Sequence, residues 1–281
     1  TVTVTGDPRS RSMPPRVKRP VRILGPHRSA RIAVALFSIK PGSDFAAGNY
    51  WGWPSSFEGL TNYGKVFFES NMPRYLMNSV FITLPTVLGA IALSSMAGFA
   101  LGIYKFKGNL LIFFMFIAGN FVPFQILMVP VRDLTISLGM YDSIQGLVLF
   151  HVAFQTGFCT LFMRNFIRAL PFPLIEAARV EGVAEWRIFF FVVLPLMKPA
   201  LAALAVLVFT FIWNDYFWAV VLTQGPSAQP VTAGITEFNS QFRAAYHLMS
   251  AGSIVAAFPP VAMFFLMQKH FIAGLTLGAV K

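Results

Sequence analysis

Residues 75–104 read YLMNSVFITLPTVLGAIALSSMAGFALGIY, a run without one charged side chain, closed by Lys105. About 20 mostly apolar residues suffice for a helix to cross a hydrocarbon core of roughly 30 Å. Working outward, residues 108–131 and 143–163 are equally free of charge, residues 199–222 are apolar except for Asp215, and a fifth window covers 248–267. Prolines 85, 123, 130, 259 and 260 fall inside these windows. They are tolerable where neighbouring helices re-satisfy the freed carbonyls. The predicted fold is an all-α integral membrane protein.

Composition agrees with the windows. Of 281 residues, 56% are hydrophobic and 12% charged, with 31 phenylalanines and a mean hydropathy of +0.64. A soluble domain carries roughly 25% charged residues, so this chain lacks the polar side chains to coat a water-facing surface. A soluble enzyme, a disordered regulator and a disulfide scaffold are all disfavoured. Cys159 stands alone and reports nothing of redox compartment.

The net charge is +11. Arg9, Arg11, Arg16, Lys18, Arg19, Arg22, Arg28 and Arg31 crowd the first 31 residues among five prolines. Residues 1–31 therefore read as a basic, disordered cytoplasmic tail, a topology signal rather than a nucleic-acid site. With the tail, the Lys105/Lys107 turn, residues 164–198 and the C-terminus all cytoplasmic, seventeen basic residues lie inside and five outside. That bias follows the positive-inside rule and needs a sixth span before residue 40. The apolar run at 32–39 is its sole candidate, and eight residues reach only about 12 Å. The first helix thus reads as truncated, with residues missing around 33–36.

Between the third and fourth complete windows lies Arg164-Asn165-Phe166-Ile167-Arg168-Ala169-Leu170-Pro171-Phe172-Pro173-Leu174-Ile175-Glu176-Ala177-Ala178-Arg179-Val180-Glu181-Gly182. Pro171 and Pro173 break the preceding helix and favour a new start. Glu176 suits the first turn, and Glu176 and Arg179 can meet at i, i+3. The small Ala177, Ala178 and Gly182 would let another surface approach the backbone. On composition alone a solvated connection is the commoner explanation.

The string Glu176-Ala177-Ala178, then Gly182 and farther on Leu194-Pro195, resembles the EAA motif of ABC importer permeases. Other stretches share the resemblance in collinear order: Phe57 with Asn62-Tyr63, Asn78-Ser79, Ala97-Gly98-Phe99-Ala100, Phe106-Lys107-Gly108, the 138–143 stretch, Trp213-Asn214-Asp215, and residues 268–281. They are similar to the carbohydrate branch, specifically the maltose-transporter-like second permease. The resemblance implies a six-helix type I permease in a bacterial inner membrane, both termini cytoplasmic. It implies a coupling helix at about 173–187, in which Glu176, Ala177, Ala178, Arg179, Glu181 and Gly182 face an ATP-binding subunit. Glu181 stands where that family usually has Asp. Implied partners are a second permease, an ATPase dimer, a soluble binding protein and membrane lipid.

No catalytic set is legible. His27, His151, His247 and His270 are scattered without a carboxylate or cysteine at ligand spacing, and no phosphate-binding glycine loop is present. The chain is expected to be no enzyme and to bind no cofactor or metal itself, ATP and Mg being used by the ATPase. Asp215 is different, because an acid within a span costs roughly 2.5–3.5 kcal/mol and usually faces a cavity or partner. With Trp213, Asn214, Tyr216 and Gln125 it forms a candidate substrate pathway suited to polyhydroxyl ligands. Gln125, like Asn120 and Gln155, is a weaker candidate, because interhelical hydrogen bonding explains all three equally well. The equal alternative places Asp215 near the outer interface, snorkelling into water. Residues 40–74 and 224–247 are expected to face the binding protein. The expected function is uptake of a sugar or sugar derivative. The alternatives are a polyol or glycerol-phosphate solute and, in another class, a gradient-driven secondary transporter with Asp215 as its ion site.

Overall fold

The computed structural model describes residues 26–240 and 243–277. Most of the basic tail at 1–31, up to residue 25, lies outside the described residues, as does the terminal 278–281 motif.

The centre is a pair of long helices, α4 (Met72–Ile103) and α7 (Ile144–Arg168), lying against each other along their length. Small buried residues on α4, including Ala90, Ser94 and Ser95, let the two backbones approach. At Gly98 a Cβ would stand 2.9 Å from the Arg164 backbone nitrogen and from Met163 Cβ. Only glycine fits there. Around this pair stand α11 (Lys198–Trp213) and α14 (Tyr246–Leu277), pinned together where Trp213 Nε1 donates to the Ala256 carbonyl at 3.0 Å.

Among the described residues, Met72–Ile103, Ile144–Arg168 and Tyr246–Gln268 are each long and apolar enough to cross a membrane. Two further windows are bent rather than straight. The window at 108–131 divides into α5 (Asn109–Ala118), two 3-10 turns (Gly119–Phe121 and Phe124–Leu127) and α6 (Met128–Ser137), its limbs meeting at 88°. Pro123 supplies no backbone N–H and sits in the gap. The second break precedes α11. Here α9 (Glu185–Arg187), a π-helical turn over Ile188–Val193 and α10 (Leu194–Leu196) meet α11 at 75°, with Pro195 and Pro199 flanking the corner at Met197. The window at 199–222 is itself interrupted at 214–216, before α12 (Phe217–Leu222). Pro259 and Pro260, by contrast, lie within an unbroken α14.

The run at 32–39 belongs to α1 (Pro26–Ser38), whose 13 residues reach about 20 Å. That exceeds the eight-residue estimate, counting only from Pro26, where the described residues begin. It runs beside α14 and ends at the bundle end that holds α2 (Gly42–Ala46) and α3 (Gly59–Phe68). A sixth helix is therefore present before residue 40, where charge parity requires one.

The segments that the charge bias assigns to one side do gather at one end. Asn78 Nδ2 donates to the Pro226 and Gln229 carbonyls at 3.0 and 2.9 Å. Asp142 Oδ1 accepts the Gln224 and Gly225 N–H groups at 2.8 and 3.1 Å. Glu237 receives Tyr75 Oη at 2.9 Å and Asn71 Nδ2 at 3.0 Å. The loop at 224–247 is correspondingly more structured than a plain connection, with α13 (Val231–Gly234) and an antiparallel pair, β1 (Asn239–Ser240) with β2 (Arg243–Ala244). The Lys105/Lys107 turn and residues 168–187 occupy the opposite end.

Candidate functional site

The helix that begins after Pro171 is α8 (Phe172–Val180), with Pro173 in its first turn. It ends earlier than the expected 173–187, for a reason written in the backbone. Gly182 has φ +73°, the Gly182 N–H reaches the Arg179 carbonyl and the Val183 N–H the Ala178 carbonyl, each at 3.0 Å. That is a Schellman closure, which wants glycine at the left-handed position. No atom lies within 4 Å of a Cβ built on Gly182. Its role within the chain is therefore to turn the backbone, since no neighbour in this chain demands its small size.

Ile175 anchors α8, 1% exposed, whereas Val180 is 88% exposed. Leu174, Ala177, Glu176 and Glu181 are also exposed, and among the described residues neither carboxylate has a side-chain hydrogen bond. The helix therefore presents an apolar strip (Leu174, Ala177, Val180) edged by two acids.

Arg179 does not pair with Glu176. Its Nε and Nη2 donate to Glu185 Oε1 and Oε2 at 2.6 and 3.1 Å, because the Gly182 turn folds Glu185 back beside the helix. Tyr104, just past α4, donates its hydroxyl to Glu185 Oε2 at 2.6 Å, and the Arg179 guanidinium lies 5.6 Å from the Tyr104 ring centre. The hydrogen bond from Arg179 holds the Glu185 carboxyl below the usual carboxylate range. Burial, and then the hydrogen bond to Glu185, pushes the Tyr104 phenol up to about 12. This three-residue clamp ties the exposed segment to the end of the central helix. Tyr104 lies 81 positions from Glu185, and no local pattern in the sequence announces the contact.

The proposed pathway residues separate. Trp213 is buried against α14, and Asn214 turns back to the Thr210 carbonyl at 2.7 Å with its side chain exposed. Tyr216 is half exposed, and Gln125 is exposed at the α5–α6 corner. Asp215 sits in the break before α12, where it accepts the N–H groups of Trp218 and Ala219 at 3.5 and 3.1 Å. Its carboxylate is 11% exposed and faces inward, 3.6 Å from His151 Nε2. That inward placement differs from the snorkelling alternative. The pairing is not legible in the sequence, because Asp215 lies 64 positions from His151, in the break between α11 and α12. Gln155 follows one turn later on α7, buried, with Nε2 lacking a partner among the described residues. It lines a cavity of about 310 Å³ with Asn120, Phe154, Phe158 and Phe211. Asn120 donates its amide to the Phe116 and Ile117 carbonyls at 3.3 and 3.4 Å. One amide donor and one amide oxygen thus remain beside aromatic faces, two of the weaker candidates having the better-formed cavity.

Among the described residues, no group of three His, Cys, Asp or Glu side chains could hold a metal ion.

Residues 90–276 match the family described as binding-protein-dependent transport system inner membrane component. Over 223 residues the chain is 34% identical to the arabinooligosaccharides transport system permease protein AraQ of Halalkalibacterium halodurans, covering 79% of each chain. It is 31% identical over 257 residues to the osmoprotective compounds uptake permease protein GgtD of a Synechocystis species, covering 89% of this chain and 86% of that one. Among solved structures, a bacterial ABC transporter that imports the acidic polysaccharide alginate superposes with a TM-score of 0.74 at 23% identity, covering 86% of this chain and 90% of its counterpart.

Proposed function

This chain belongs to the binding-protein-dependent transport system inner membrane components, the permeases of ABC importers, and from that we propose that it carries a sugar or oligosaccharide across the bacterial inner membrane. The observation that carries the coupling role is α8. A helix with a buried anchor at Ile175 and an exposed strip at Leu174, Ala177 and Val180 is shaped to be covered by another protein. Glu176, Ala177, Ala178, Arg179 and Glu181 lie on or beside that face, with Gly182 as its hinge. In this reading the ATPase dimer holds ATP and Mg, and closing it moves α8. The clamp through Glu185 and Tyr104 passes the motion to α4, and a second permease completes the pathway. The binding protein delivers solute at the opposite end, where residues 40–74 and 224–247 meet. In this reading both termini lie in the cytoplasm. The chain itself performs no catalysis.

The sugar class is favoured by the substrate in the name of AraQ and by the aromatic cavity with its amide pair at Asn120 and Gln155. Asp215 braces the α11–α12 break beside that region, with Trp213, Asn214, Tyr216 and Gln125 around the same bends. The test is substrate-stimulated ATPase activity of the complete transporter in proteoliposomes. The panel should hold arabino-oligosaccharides, other oligosaccharides and small osmoprotective solutes. Stimulation by an oligosaccharide at least tenfold lower in concentration than by an osmoprotectant is expected. The reverse order would reject the sugar assignment. A companion variant, Ala177→Trp, should assemble poorly with the ATPase, and undiminished coupled uptake would remove α8 from the docking surface.

A further inference from the structure

At the α8 end of the bundle lies a cavity of about 810 Å³ between the α4–α5 turn and the last turns of α7. Lys105 and Lys107 come from the turn, Arg164 and Arg168 from α7, and no acidic residue is among its lining side chains. The carboxylate reached through the lining, Glu185 beyond Tyr104, is already taken up by Arg179. Leu110 and Leu111 continue the same wall as exposed apolar side chains on α5.

Arg164 is the informative member. It is 9% exposed and lies one turn inside the end of a membrane-spanning helix. Its Nε donates to the Leu101 carbonyl at 3.1 Å and its guanidinium lies 4.0 Å from the centre of the Phe113 ring. Neither partner is an anion. Among the described residues it forms no ion pair with a carboxylate, although a buried cation is costly when no opposite charge offsets it. Topological charge alone would be met by lysines in water; it does not call for a buried arginine facing two lysines and a second arginine across a hollow. A phosphodiester fits the hollow, because guanidinium N–H groups match phosphate oxygens. The apolar wall that follows suits acyl chains, and basic pockets between helices near the membrane surface take lipid headgroups.

We propose that this cavity binds the headgroup of an anionic phospholipid, Lys105, Lys107 and Arg168 gripping the phosphate rim and Arg164 its inner edge. The site depends on membrane residence and not on which solute is transported. The assembled transporter, in nanodiscs of mixed phosphatidylglycerol and phosphatidylcholine, is released into native mass spectrometry. Wild type should retain phosphatidylglycerol in preference to phosphatidylcholine. In Lys105→Gln/Lys107→Gln/Arg168→Gln the retention should fall about fivefold for each charge removed. A charge-matched control, Lys65→Gln/Arg74→Gln/Arg132→Gln, should keep it, and Lys105→Arg/Lys107→Arg should keep it as well. The second of these guards against a triple variant that misassembles. Equal retention in the triple variant overturns the proposal, as does equal loss in the control. Displacement of the lipid by millimolar inorganic phosphate would overturn it in favour of a free anion site.

Discussion

The two ends of the bundle are built on opposite plans. At the end holding residues 40–74 and 215–246, chain segments far apart in sequence are stitched by two buried amides and a half-buried carboxylate: Asn62 to the Ser38 and Lys40 carbonyls, Asn78 to those of Pro226 and Gln229, and Asp142 to two backbone N–H groups. At the α8 end, one clamp of Arg179, Glu185 and Tyr104 holds a helix whose acids, apolar strip and neighbouring cations are left unspent. Satisfied polar groups make a brace. Unsatisfied ones make a surface. One end thus fixes the helices relative to one another, and the other is available to be moved by a partner.

The sharpest way to break this comparison is at Val180. Val180→Asp puts a charge on the exposed strip and touches nothing inside the chain, so the fold and thermal midpoint should hold. Uptake by the complete transporter should fall more than about tenfold, since burying an unpaired carboxylate in an interface costs several kcal/mol. Retained uptake would show that the strip is not covered. At the other end Asn78→Leu should do the reverse, lowering stability by about 1–2 kcal/mol because the Pro226 and Gln229 carbonyls lose their common donor. A denaturation series in detergent measures it, and an unchanged midpoint would deny that this end is the brace.

A smaller effect is expected at the α11–α12 break. Asp215→Ala removes the acceptor for two N–H groups and should cost about 1 kcal/mol, whereas Asp215→Asn, also a good cap, should cost little. If Asp215→Asn keeps its stability but abolishes uptake, Asp215 lies in the pathway; unchanged uptake confines it to bracing. The smallest effect is that of the clamp on pH. Glu185 is held below its ordinary range, so its stabilisation is complete above the unfolded value of about 4.3. It is lost as pH falls through the lowered folded value. With the Arg179 and Glu185 side chains 31% and 41% exposed, the contribution is under about 1 kcal/mol. Glu185→Gln should flatten the acid limb of a stability-against-pH curve, and an unaltered limb would mean that another group sets it.

Much of the fold is legible in residue order because lipid imposes a length and a polarity on every span. Residues 75–104 and 143–163 declare themselves by lacking charge, and their helices run over Met72–Ile103 and Ile144–Arg168. What fails is straightness. Proline has different consequences at 123, in a gap between limbs, and at 259 and 260, inside an intact helix, because neighbours decide whether a lost hydrogen bond becomes a bend. The candidate site divides in the same way. The position of α8 after Pro171 and the left-handed turn at Gly182 are local matters. The pairing of Arg179 is not: i, i+3 spacing points to Glu176, yet the turn delivers Glu185.

By itself the sequence determined that this protein is a helical membrane protein, and its collinear motifs pointed to the permease family that residues 90–276 match. It determined those things because hydropathy, charge bias and short motifs are properties of contiguous residues. Only the tertiary structure decided that His151 meets Asp215, that Tyr104 closes a clamp on Glu185, and that Lys105, Lys107, Arg164 and Arg168 surround one hollow. Those contacts join separate helices or loops, and their energy depends on distance in space, which the order of residues does not encode.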